Sequence, residues 1–189
     1  MDAPVGALVL GHGAGGGVQS PDLVGATEAA RSASLSVALM EQPYRVAGRR
    51  SPAPANQLDA AWTVAVAQLR DGPFSGLDFL VTGGRSAGAR VACRTAGEID
   101  SNAVLCLAFP LHPPGRPEKS RLAELDAVRV PTLIVQGKSD PFGMPPESPS
   151  RTVIRVAGTH SLRNSAAVSA AVSDWLATLI PSPSRAGHG

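Results

Sequence analysis

Residues 77–96 read LDFLVTGGRSAGARVACRTA, and this stretch decides the fold. It opens on a β-rich apolar run at 77–82 and closes on an alanine-rich, helix-compatible run to Ala96. Between them Gly84-Arg85-Ser86-Ala87-Gly88 spells G-x-S-x-G. A nucleophilic serine needs that setting, because a sharp strand-to-helix turn flanked by small residues leaves its hydroxyl exposed. The bare pentapeptide also occurs in ordinary turns. The strand before it and the helix after it favour a nucleophile at Ser86.

Working outward, apolar runs at 5–10, 35–40, 103–109, 132–136 and 152–156 join 77–82 as predicted strands, with helical patterns between them. Each run is apolar on successive residues rather than alternating, as in strands buried on both faces. The expected class is α/β, with a six-stranded, mostly parallel sheet and helices on both faces. Leu58, Ala61, Trp62, Ala65, Val66 and Leu69 fall at helical spacing, and so do Val168, Ala171, Val172, Trp175, Leu176 and Leu179. Both stripes are core-facing, which makes Trp62 and Trp175 core residues.

With 189 residues, the chain is one domain by size, expected at 1–180 with a flexible tail at 181–189. Hydrophobic content of 43% and charge of 17% exclude a disordered chain. A net charge of +2 is too small for the phosphate neutralisation that nucleic-acid binding needs. Cys93 and Cys106 lack any metal-site or disulfide-framework spacing. No basic residue precedes the first apolar stretch and no run is long enough to span a bilayer, so a cytoplasmic protein is expected.

Segments 42–56, 110–120 and 137–150 are rich in Pro, Gly and polar residues, and each follows a predicted strand. In open α/β sheets, ligands bind beyond the carboxyl ends of the strands, where these loops belong. Gly11-His12-Gly13-Ala14-Gly15-Gly16 satisfies the dinucleotide fingerprint G-x-G-x-x-G, with Glu41 as a possible ribose ligand. In that fold, however, the helix begins inside the glycines. Here the better helix start is Ser20-Pro21-Asp22, too late to hold a pyrophosphate. Gly137-Lys138-Ser139 resembles the end of a phosphate loop, but Thr132 stands where that loop needs its first glycine.

A serine hydroxyl requires a base to take its proton and an acid to orient the base. Of four histidines, His160 alone sits in the turn between the last predicted strand and the last helix, and Asp140 follows the preceding strand. The order Ser86, Asp140, His160 is that of a hydrolase triad on an α/β sheet. Taken singly, Asp140 before a proline is an ordinary turn residue and His160 could cap a helix. Oxyanion donors are then expected from the Ala87 amide and from the first glycine loop, where Ala14 is preferred over Gly13 and Gly15.

In these segments the chain resembles the α/β-hydrolase superfamily. More closely it is similar to a small subfamily related to dienelactone hydrolases, which also includes a subunit of the animal NSL chromatin complex and a testis-expressed protein. The matching segments are HGAGG, YRVAGRRSP, GGRSAGAR, GKSDPFG and GTHSL, between residues 8 and 180. The resemblance implies a minimal α/β-hydrolase core without the superfamily's first two strands and without a large lid. It implies an open site for small or flexible acyl groups.

His12, Tyr44, Arg49, Arg50 and Arg85 are candidate substrate-binding residues, with His12 also placed to hold its loop. Arginines can read an anionic substrate or anchor a loop by an ion pair. Glu41, Asp59 and Glu147 are the acidic partners considered for these and for Arg90. The leading expectation is a serine hydrolase of carboxylic esters or thioesters that needs no metal or organic cofactor and acts on a small molecule. Its activity should fall below about pH 6 to 7, where a histidine base becomes protonated. The alternatives are a non-catalytic scaffold or interaction module and, less favoured, a peptidase.

Overall fold

The computed structural model describes residues 3–180, so the tail expected at 181–189 lies outside the described residues. The strands are β1 (Gly6–Gly11), β2 (Leu35–Met40), β3 (Leu80–Arg85), β4 (Ala103–Leu107), β5 (Thr132–Gly137) and β6 (Arg151–Val156). They form one six-stranded sheet in the order β2-β1-β3-β4-β5-β6. Every neighbouring pair is parallel, so each connection must travel back across a face. Those returns carry α1 (Pro21–Ser32), α2 (Pro43–Val46), α3 (Ala55–Asp71), α4 (Ala87–Thr95) and α5 (Leu122–Asp126), and α6 (Ser165–Leu179) follows β6.

Strand alternation divides the core into two layers. Ala7 and Val9 of β1 join a cluster with Trp62 and Val66 of α3, Ala92 of α4 and Leu125 of α5. Leu8 and Leu10 point the other way, into a cluster with Leu23 and Ala26 of α1 and Val172 and Leu176 of α6. Trp62 and Trp175 are both buried, one in each layer. The chain enters at β1, steps outward to β2, then returns past β1 to β3. This reversal opens a crevice at the carboxyl ends of β1 and β3. The glycine loop follows the first of these strands, and Ser86 the second.

Two sequence expectations need correction. The third strand, expected at 77–82, pairs instead from Leu80 to Arg85. Gly83 and Gly84 argue locally against a strand, yet the sheet requires them. A Cβ on Gly83 would collide with the Leu105 carbonyl, and one on Gly84 with the Gly11 carbonyl. Full burial on both faces holds for β1, β4 and β5 but not for the edges. Leu35 is the one buried residue of β2, and β6 buries Arg151, Val153 and Val156 while exposing the other three. An edge strand has a neighbour on one side and is reached by fewer helices.

Residues 108–131, between β4 and β5, contain the single short helix α5. No lid domain is inserted there. Among the described residues, no helix is long and apolar enough to cross a membrane.

Candidate active site

Ser86 follows β3 directly, and α4 begins at the next residue. Its backbone lies in the left-handed region at φ 51° and ψ −108°, a strained setting for a residue with a side chain. The turn is held from both sides. The Ser86 amide donates to the Leu107 carbonyl at 2.9 Å, and Gly88 packs so closely on β1 that a Cβ there would strike the Gly11 carbonyl. The strain thus presents a hydroxyl at the crevice.

His160 Nε2 lies 2.9 Å from Ser86 Oγ, and His160 Nδ1 lies 2.9 Å from Asp140 Oδ2. A carboxylate can only accept, so Nδ1 carries the hydrogen and Nε2 is left to accept from the serine hydroxyl. The turns after β3, β5 and β6 thus bring Ser86, Asp140 and His160 together in series. The remaining acceptor sites of Asp140 are also engaged. Phe142 N–H donates to Oδ1 at 2.9 Å, and Gln136 Nε2 donates to Oδ2 at 2.8 Å. Phe142 also stacks on the imidazole, with ring centroids 4.1 Å apart and planes 30° apart.

Gln136 and Phe142 are neighbours of the site that the sequence reading missed. Gln136 is a buried amide directly after the apolar run Leu133-Ile134-Val135 of β5, and that was the available signal. Its amide nitrogen also lies 3.1 Å from the Phe109 carbonyl and 2.9 Å from that of Gly143, so two hydrogens serve three acceptors. Phe142 stands two residues after Asp140, within GKSDPFG.

A cleft of about 580 Å³ opens onto Ser86 and His160 and is also lined by Ala14, Gly15, Arg85, Phe142 and Arg163. Ala14 is therefore on the cleft wall. Ala87 opens α4, where its N–H has no intrahelical acceptor. His12 does not line the cleft: it is fully buried. Gln42 N–H donates to its Nε2 at 2.9 Å, so Nδ1 bears the hydrogen and donates to the Gly13 carbonyl at 2.7 Å. Its place is that of a loop holder.

Tyr44 is likewise buried, and its hydroxyl donates to the Ala14 carbonyl at 3.3 Å. Burial pushes the phenol above its ordinary range, partly offset by the Arg45 charge, which keeps the group a donor. Arg49 and Arg50 are exposed, outside the cleft lining, and no carboxylate among the described residues pairs with them. Arg85 is on the cleft wall, and its acidic partner is Asp22 at 2.8 Å, which the sequence reading did not consider. Arg90 pairs with Glu124, and Asp59 pairs with Arg94. Cys93 and Cys106 are free thiols with sulfurs 3.5 Å apart. Their mutual contact and their burial push Cys106 well above the ordinary thiol range.

The alpha/beta hydrolase domain family matches residues 4–167. The chain belongs to that family. Solved structures also share its architecture. One from Xanthomonas campestris, described as an α/β serine hydrolase without lid, superposes with a TM-score of 0.71 at 18% identity, covering 96% of this chain and 86% of that one. Est1E from Butyrivibrio proteoclasticus gives 0.73 at 15% identity, covering 94% and 89%. Mouse alpha/beta hydrolase domain-containing protein 10 gives 0.63 at 14%, covering 95% and 93%. At such identities the likeness is one of fold. No curated protein matches the chain.

Proposed function

We propose that this alpha/beta hydrolase cleaves carboxylic esters or thioesters of small molecules through an acyl-enzyme. The observation that carries the reading is the unbroken series Ser86 Oγ, His160, Asp140, with both contacts at 2.9 Å, facing an open cleft. Ser86 Oγ attacks the carbonyl carbon as His160 Nε2 takes its proton. The negative charge on the carbonyl oxygen is met by the Ala14 and Ala87 amides. The bond to the leaving oxygen or sulfur breaks as His160 returns the proton to it, and water repeats the sequence on the acyl-enzyme. Asp140 keeps the imidazole in the tautomer that accepts at Nε2.

The lidless cleft supports small or flexible acyl groups over a lipid tail held in a deep tunnel. HGAGG at 12–16 and GGRSAGAR at 83–90 support a closer affiliation with the dienelactone-hydrolase-related subfamily. The two free, buried thiols are compatible with a reducing, cytoplasmic setting.

The test is turnover of p-nitrophenyl acetate and its thioester counterpart against peptide anilides, with wild type and Ser86→Ala side by side. Ester or thioester cleavage is expected, with a loss of about 10⁶-fold in Ser86→Ala if the triad acts as a unit. Unchanged esterase activity in that variant removes Ser86 from the chemistry, and preference for anilides makes the enzyme a peptidase.

A further inference from the structure

Arg85 sits between the last glycine of β3 and the serine, and its side chain turns toward α1 rather than into open solvent. Its Nε lies 2.8 Å from Asp22 Oδ2, while the side chain of Asp22 is fully shielded. Its Nη2 donates to the His160 main-chain carbonyl at 3.0 Å. Its Nη1 lies against the glycine loop, where a Cβ on Gly13 would come within 2.8 Å of it. One planar guanidinium therefore touches the start of α1, the glycine loop beside Ala14, and the turn that carries His160.

Outside β6 and α6, that turn is held by a hydrogen bond from Ser139 N–H to the Gly158 carbonyl at 3.0 Å, which leaves the His160 end to Arg85. It runs between β6 and α6 without regular structure, and two of its residues take positive φ, Gly158 at 125° and Leu162 at 43°. Among the described residues no backbone N–H donates to the His160 carbonyl, so Arg85 is its partner. A misplacement of about 1 Å at a reacting group costs on the order of 10²-fold in rate. The imidazole must meet two partners at 2.9 Å at once. Lysine cannot replace this hold, because a single compact ammonium cannot lie against the Asp22 carboxylate and donate to the His160 carbonyl at once, as the broad planar guanidinium does. Asp22 supplies the counter-charge that keeps the fork oriented, and burial raises its carboxyl above the ordinary range despite the Ser20 hydroxyl and the nearby arginine.

We propose that Arg85 is a positioning residue that locks the His160 turn and the glycine loop to α1, with Asp22 as its anchor. This deepens the serine hydrolase reading and rests on it for its kinetic consequence. A substrate anchor would also place an arginine on the cleft wall, and the two roles separate on a neutral ester. An anchor for anions leaves p-nitrophenyl acetate turnover alone, whereas a positioning residue lowers it.

The experiment uses the full chain as wild type, Arg85→Ala and Arg85→Lys. On p-nitrophenyl acetate, kcat of Arg85→Ala should fall about 10²-fold with KM nearly unchanged. Free guanidinium at sub-denaturing concentration should restore part of it, and Arg85→Lys should stay well below wild type while unfolding at a near-native temperature. Long-range proton–nitrogen spectra of histidine-labelled protein should show one ordered His160 tautomer in wild type and an averaged one in both variants. Wild-type kcat in folded Arg85→Ala, or in Arg85→Lys should the alanine variant not fold, overturns the proposal, as does an unchanged His160 spectrum. If wild type does not turn over the ester yet the spectra change, the hydrolase reading fails and the positioning role stands.

Discussion

Two aspartates, Asp140 in the turn after β5 and Asp22 in the first turn of α1, have side chains equally closed to solvent, and the protein surrounds them differently. Asp140 receives hydrogens from Phe142 N, Gln136 Nε2 and His160 Nδ1. Asp22 receives one well-directed hydrogen, from Leu23 N at 3.0 Å. Arg85 approaches its other oxygen at 2.8 Å, but the N–H does not point at it, so the contact is one of charge. Burial therefore prevails at Asp22 and raises its carboxyl. The two carboxylates thus differ in how many donors are aimed at them, three at Asp140 against one at Asp22, where a guanidinium adds its charge. The difference also separates a carboxylate in contact with an imidazole from one in contact with a guanidinium.

Removing the acceptor at Asp140 breaks the comparison most severely. Asp140→Asn presents an amide to His160 Nδ1 and favours the wrong tautomer, so kcat on p-nitrophenyl acetate should fall by about 10⁴-fold, as in serine protease triads. Gln136→Met sharpens the contrast by taking one donor from Asp140 while preserving bulk. A lost hydrogen bond to a charged group is worth about 1.5 to 3 kcal/mol, so kcat should drop by roughly 10- to 100-fold. A wild-type rate in Gln136→Met would show that Asp140 needs no help from the strand.

Asp22, which holds Arg85 and so bears on rate, also answers in stability. Its folded-state carboxyl is raised above the ordinary value of 3.8, so just above that pH the folded state holds more protons than the unfolded state. Stability from this group then falls as pH rises through the window. Asp22→Asn cannot ionise, so its unfolding free energy relative to wild type should climb between pH 4 and 7 in parallel urea titrations. A relative decline would reverse the assignment. The smallest effect belongs to the loop after β2. Arg49→Ala and Arg50→Ala remove exposed charges without partners among the described residues, and turnover of a neutral ester should remain within about two-fold, as expected for surface charges.

The six strands were legible because strands buried from both sides are written as unbroken apolar runs. The same logic overstated burial in β2 and β6, since a run does not announce that it lies at an edge. Ser86, Asp140 and His160 could be picked out in order because each sits in a turn after a strand, and parallel topology gathers those turns at one rim. The contacts of Asp22 with Arg85 and of Gln136 with Asp140 were not legible in the same way. They depend on how α1 docks on the sheet and on how the turn after β5 folds back, and neither leaves a periodic trace. His12 illustrates the limit from the other side. Its place in a glycine loop allowed either contact with substrate or a hold on the loop, and the fold gives the second, turning its ring inward to accept from Gln42.

The most direct test of the central claim is to treat the protein with a fluorophosphonate and map the adduct by peptide mass spectrometry. One adduct is expected, on Ser86, forming at a rate that collapses in His160→Ala. A native protein that stays unmodified, or that carries its label on a different serine, would contradict it.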